Sequence, residues 1–174
     1  TPNRTHRRFC RSTVWITPRS SRCKASTTTK FWNTRQFSKR RFSLLQAIHK
    51  RGLPVALCTS SSRIASIKLL EKLGIEDLFT LVVGKEDYTY RKPDPEPYQV
   101  TAQKLGIAPK DCLVIEDSEV GLKSAVAAGM QCIVIYNDHT KEHNFSGAVR
   151  VVSSAAELDL NEILSVGSTS TRVD

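Results

Sequence analysis

Asp111-Cys112-Leu113-Val114-Ile115-Glu116-Asp117-Ser118 is followed directly by Glu119-Val120-Gly121-Leu122-Lys123-Ser124-Ala125. Apolar or near-apolar residues run straight into two adjacent carboxylates, then a hydroxyl residue, then an alanine-rich helical pattern. An apolar run of this length between polar residues predicts a strand buried on both faces of a parallel sheet. Carboxylates at its carboxyl end stand where open α/β sheets hold their ligands. Paired Asp/Glu oxygens there suit a hard cation such as Mg²⁺. A plainer reading makes Glu116 and Asp117 the acidic start of the helix near Ser118, because negative charge favours a helix amino end. From this stretch alone both readings stand.

The same rhythm extends in both directions, over residues 42–166. Leu44, Leu45, Ile48 and Leu53 predict a helix stopping near Gly52. Residues 54–58 form an apolar strand pattern that ends in Thr59-Ser60-Ser61-Ser62. A helix with Ile64, Ile67, Leu69, Leu70 and Leu73 on its apolar side closes at Gly74. Residues 79–83 read as a strand and Arg91-Lys92-Pro93-Asp94-Pro95 as a turn, with Pro95 near the first position of a helix reaching Leu105. After the strand at 112–115 come a helix at 119–128, a strand at 131–136, a short strand at 149–152 and a closing helix at 155–164. Residues 165–174 are a polar tail.

Strands alternating with helices at this spacing predict parallel βαβ units: an α/β fold with a Rossmann-like, doubly wound parallel sheet. In that fold Thr59 and Ser60, Lys92, and Glu116 with Asp117 gather at one sheet edge. A hydroxyl, backbone amides at a helix start, a lysine and two carboxylates amount to a phosphate site with a metal beside it. Singly, Thr59-Ser60 reads equally as a helix cap and Lys92 as a surface turn. Their order after successive strands is what joins them.

The first 41 residues obey other rules. Residues 1–50 hold thirteen Lys or Arg and no acidic residue, whereas the rest of the chain is net negative; the overall charge is +9. The segment 1–41 is rich in Arg, Ser and Thr and fits three readings: a transit peptide, a basic arm for nucleic acid with Trp15, Phe31 and Trp32 available for stacking, or a truncated or miscalled N-terminus. The third ranks first, and nucleic acid last, because nothing else in the chain looks like a base-reading module. Residues 13–17 predict a short strand before Pro18. A cytoplasmic location is expected, with a plastid or mitochondrion as the alternative if the leader is a transit peptide. No apolar run approaches the ~20 residues that span a bilayer. The five cysteines include no CxxC pair; Cys58, Cys112 and Cys132 lie in or at the ends of apolar runs and read as reduced core thiols. His139 and His143 read as solvated loop residues.

Together these residues resemble the haloacid dehalogenase-like hydrolase superfamily, in its beta-phosphoglucomutase-like and sugar-phosphate phosphatase branch. Leu57-Cys58-Thr59-Ser60 is similar to the family's second motif, where a Ser or Thr binds phosphate. Arg91-Lys92-Pro93 is similar to the third, whose lysine neutralises charge. Ile115-Glu116-Asp117-Ser118, with Gly121 and Ala127-Ala128-Gly129-Met130, is similar to the fourth, whose acids help bind Mg²⁺. The resemblance covers residues 43–152. It implies a Mg²⁺-dependent phosphatase or phosphomutase acting on a small phosphorylated metabolite, a sugar phosphate first among them. It implies Lys92 and Thr59 as catalytic residues, Thr59, Ser60 and Lys92 as phosphate ligands, and Glu116 and Asp117 as metal ligands. The family's first motif, Asp-x-Asp-x-Thr, supplies the nucleophile from an earlier, central strand. Here the first acidic residue is Glu71, so that motif and the helical cap that usually follows it are absent. The expectation is a partial core, inactive as written, with a non-catalytic phosphate- or protein-binding remnant as the alternative. The central strand position is expected to be filled only in part, by residues 13–17, leaving exposed ladder groups and marginal stability.

Overall fold

A computed structural model describes residues 13–16, 39–161 and 163. Among these, β1 (Thr13–Ile16), β2 (Val55–Cys58), β3 (Leu81–Val83), β4 (Cys112–Glu116), β5 (Gln131–Ile135) and β6 (Arg150–Val152) form one sheet in the order β3-β2-β1-β4-β5-β6. Every neighbouring pair is parallel. Helices α1 (Lys39–Lys50), α2 (Arg63–Leu73), α3 (Glu96–Leu105) and α4 (Glu119–Ala127) connect the strands. The predicted doubly wound α/β sheet is the observed one.

Strand β4 shows why both faces must be covered. All five of its residues are buried. Cys112 and Val114 point into a core shared with Tyr98 and Ala102 of α3 and Leu122 and Ala125 of α4. Leu113 and Ile115 point the other way, into a core with Leu45 and Ile48 of α1 and Ile163. Alternate residues of one strand thus feed two layers, each fully buried aliphatic side chain contributing roughly 1.5–3 kcal/mol.

The central position expected for residues 13–17 is held by β1, while two other expectations need correction. Strand β1 pairs through Val14↔Val55 and Trp15↔Ala56 on one side and through four residues, Thr13↔Cys112 to Ile16↔Ile115, on the other. Val14, Trp15 and Ile16 favour strands, and a parallel ladder asks only for backbone groups, so the ladders of β2 and β4 do find partners. The boundary drawn at residue 41 shifts as well, since residues 13–16 lie in the sheet and α1 begins at Lys39. The closing helix does not start at 155: Ala155–Glu157 is a single 3₁₀ turn locked by a capping box between Ser154 and Glu157. The α-type bonding appears at Ile163 N–H to the Asp159 carbonyl. The remaining basic leader, with Phe31 and Trp32, and the polar tail lie outside the described residues. Among the described residues no helix is long and apolar enough to cross a membrane.

Candidate functional site

The sheet order places the carboxyl ends of β2 and β4 on either side of β1. Lys92, on the loop between β3 and α3, bridges the two ends. Its Nζ lies 2.8 Å from Glu116 Oε1, at the end of β4, and 3.4 Å from the Cys58 carbonyl, at the end of β2. It also donates to the Tyr98 hydroxyl at 2.9 Å and sits 4.3 Å from the centre of that ring. Lys92 and Glu116 are therefore in direct contact, and the same lysine reaches the carbonyl of Cys58, the residue before Thr59.

The Lys92–Glu116 pair is buried, with side chains 8% and 2% exposed. An ion pair withdrawn from water persists only when further hydrogen bonds satisfy it. Tyr98 supplies one, donating to Glu116 Oε1 at 2.5 Å. The Asp117 N–H and Ser118 Oγ supply two more, to Glu116 Oε2 at 3.1 and 3.3 Å. Gly121 makes room for the carboxylate: a Cβ there would lie 2.0–2.2 Å from its atoms. Helix α4 is started by Ser118, whose hydroxyl accepts the Gly121 N–H at 3.2 Å. The plain reading of this stretch as a helix start thus holds for Ser118, while Glu116 turns inward.

Burial alone would lower the Lys92 pKa, but the charge of Glu116 and its hydrogen bond outweigh burial and leave it raised. Burial, and then the Glu116 charge, hold the Tyr98 phenol well above its usual range. Both groups bind their protons more tightly folded than unfolded, so their contribution is complete below about pH 10 and drains as pH rises through the folded values. The thermal midpoint is expected to fall above about pH 10, with Tyr98 phenolate absorbance, read against Tyr98→Phe, appearing only on unfolding. Phenolate from Tyr98 in the folded chain near pH 10 would contradict this.

Thr59 is buried, donating its N–H to the Val83 carbonyl at 2.9 Å and accepting at its own carbonyl from the Tyr88 hydroxyl at 3.0 Å. Its Oγ1 accepts the Ser61 N–H at 3.1 Å, which leaves the hydroxyl proton to be donated. Neighbouring Ser60 offers a further backbone N–H, which has no acceptor among the described residues. The helix start itself is differently used. Ser62 makes no side-chain cap on α2, and Glu86 instead reaches across from the β3 side to accept the Arg63 N–H at 3.0 Å. An acid there occupies a free N–H of the helix start. Cys58, one residue before Thr59, has its thiol pKa raised by burial, which disfavours the thiolate.

Asp117 stands half-buried at the rim, where Asn137 Nδ2 donates to its Oδ2 at 3.4 Å. Tyr98, Glu86 and Asn137 were missed in the sequence. Only Tyr98 left a signal: a phenol on the buried face of a helix must find a polar partner. Cys58, Cys112 and Cys132 are buried, as expected, and His139 and His143 are exposed.

The profile of the haloacid dehalogenase-like hydrolase family matches residues 24–135, and the chain belongs to that family. A haloacid dehalogenase-like hydrolase domain-containing protein of Arabidopsis thaliana is 34% identical over 124 residues, covering 69% of this chain and 39% of the relative. The crystal structure of CbbY from Rhodobacter sphaeroides in complex with xylulose-(1,5)bisphosphate superposes with a TM-score of 0.65 at 28% identity, covering 69% of this chain and 55% of that one. Beta-phosphoglucomutase from Clostridium difficile gives 0.65 at 26% identity, with coverage of 74% and 55%. These neighbours put the chain in the phosphoglucomutase and phosphatase branch. The chain spans between 31% and 54% of the length of the leading curated relatives, phosphatases among them.

Hydrolases and mutases of this family typically use Mg²⁺, and the residues present can be tested against that ion. Mg²⁺ takes oxygen ligands in an octahedron, usually one or two carboxylates plus substrate phosphate and water. Glu116, expected to be a ligand, is committed to Lys92, Tyr98 and the start of α4. Among the described residues no three of His, Cys, Asp and Glu converge on a common point. Residues 1–70 contain no Asp or Glu, so neither β1 nor what adjoins it brings a second carboxylate to Asp117. This donor set does not fit the family's metal site.

Proposed function

We propose that the carboxyl edge of this sheet binds the phosphate group of a small phosphorylated metabolite, a sugar phosphate first among candidates, in the manner of a phosphatase or phosphomutase of its family. The supporting observation is Lys92 spanning the ends of β2 and β4 and reaching the Cys58 carbonyl, one residue before Thr59 and two before Ser60. Lys92 is the cation, Thr59 and Ser60 are directional donors, and Glu116 with Tyr98 fixes the lysine in place. The relatives' phosphorylated ligands favour the same chemistry.

Turnover is a separate matter. A carboxylate nucleophile forms an aspartyl-phosphate only from in-line contact, and the first 70 residues offer none. The 174-residue chain therefore binds phosphate without cleaving its esters. With Mg²⁺ and a generic phosphomonoester the purified chain is expected to release phosphate no faster than a buffer control. Release that disappears in Asp117→Asn, with contaminating phosphatases controlled for, would show that the chain is catalytic.

A further inference from the structure

We infer, resting on the phosphate reading above, that this edge binds phosphate without a divalent cation. A carboxylate has about four lone-pair positions. Those of Glu116 are met by four donors: Lys92 Nζ at 2.8 Å and the Tyr98 hydroxyl at 2.5 Å on Oε1, the Asp117 N–H at 3.1 Å and Ser118 Oγ at 3.3 Å on Oε2. The Gly121 backbone closes the remaining side, since even one carbon added there falls 2.0–2.2 Å from the carboxylate. No approach remains for a cation that keeps its water shell.

Asp117 stands half-buried at the rim, where Asn137 donates to its Oδ2, and a single carboxylate makes a weak Mg²⁺ ligand. Attraction comes from protein donors. Of the three acceptors of Lys92, the Cys58 carbonyl is the most distant, at 3.4 Å, and is the one exchanged for a phosphate oxygen beside Thr59. Lys92 keeps Glu116 and Tyr98 throughout.

The test is calorimetric titration of the full chain with inorganic phosphate, once with EDTA and once with excess Mg²⁺. Mn²⁺ electron paramagnetic resonance serves as a direct count of bound ion in the presence of phosphate. The expected result is a Kd that differs by less than about twofold between the two arms and no protein-bound Mn²⁺. Tightening by Mg²⁺ beyond about twofold, or bound Mn²⁺, overturns the inference while the phosphate reading stands. Absence of phosphate binding in every arm overturns both.

Discussion

Lys92→Met is expected to lower the folding stability of this chain by about 3–5 kcal/mol, because it leaves the Glu116 carboxylate charged and buried with its cation gone. The lysine makes three hydrogen bonds, and its side chain is 8% exposed. Its loss therefore cannot be repaired by water. Adding Glu116→Leu to the same chain should recover much of the deficit, since a buried ion pair is commonly replaced by apolar side chains at little cost. Urea unfolding at constant m separates the variants. A loss below about 1 kcal/mol for Lys92→Met would place the pair in solvent, and the site as described would be wrong.

Gly121→Ala carries the second large effect, and its sign is diagnostic. Inside an exposed helix, alanine stabilises relative to glycine by up to about 1 kcal/mol. Gly121 lies in the first turn of α4, and the added methyl meets the Glu116 carboxylate at 2.0–2.2 Å. Either the helix backs away from β4 or the carboxylate leaves Lys92 and Tyr98. A destabilisation of about 2–4 kcal/mol is expected, with a matching drop in thermal midpoint. A stabilised Gly121→Ala would mean that the carboxylate does not lie against the helix.

The same residues show what the sequence could and could not reveal. The layered fold was legible because the run 112–115 is apolar without alternation, which only a doubly covered strand requires. Thr59, Lys92 and Glu116 were legible through their place after successive strands. The division of labour between Glu116 and Asp117 was not, because adjacent residues of a strand point to opposite sides and nothing local says which one faces a lysine 24 positions earlier. Glu86 and Asn137 act on Arg63 and Asp117 from loops distant in sequence, so their roles exist only once the sheet has brought those loops together. The strand at residues 13–16 was legible from Val14, Trp15 and Ile16, and its central place followed from β2 and β4 standing on either side.

The central claim is that Thr59, Ser60 and Lys92 form one phosphate-binding edge. Its most direct test is a ¹H–¹⁵N spectrum of the chain titrated with inorganic phosphate, alongside Thr59→Val, which keeps the shape of the side chain and removes its hydroxyl. Saturable shifts of the Ser60 and Ser61 amides are expected in the unaltered chain, with affinity at least roughly tenfold weaker in Thr59→Val, the loss of a charge-assisted hydrogen bond. Shifts absent from these amides, or the same affinity with and without the hydroxyl, would contradict the account.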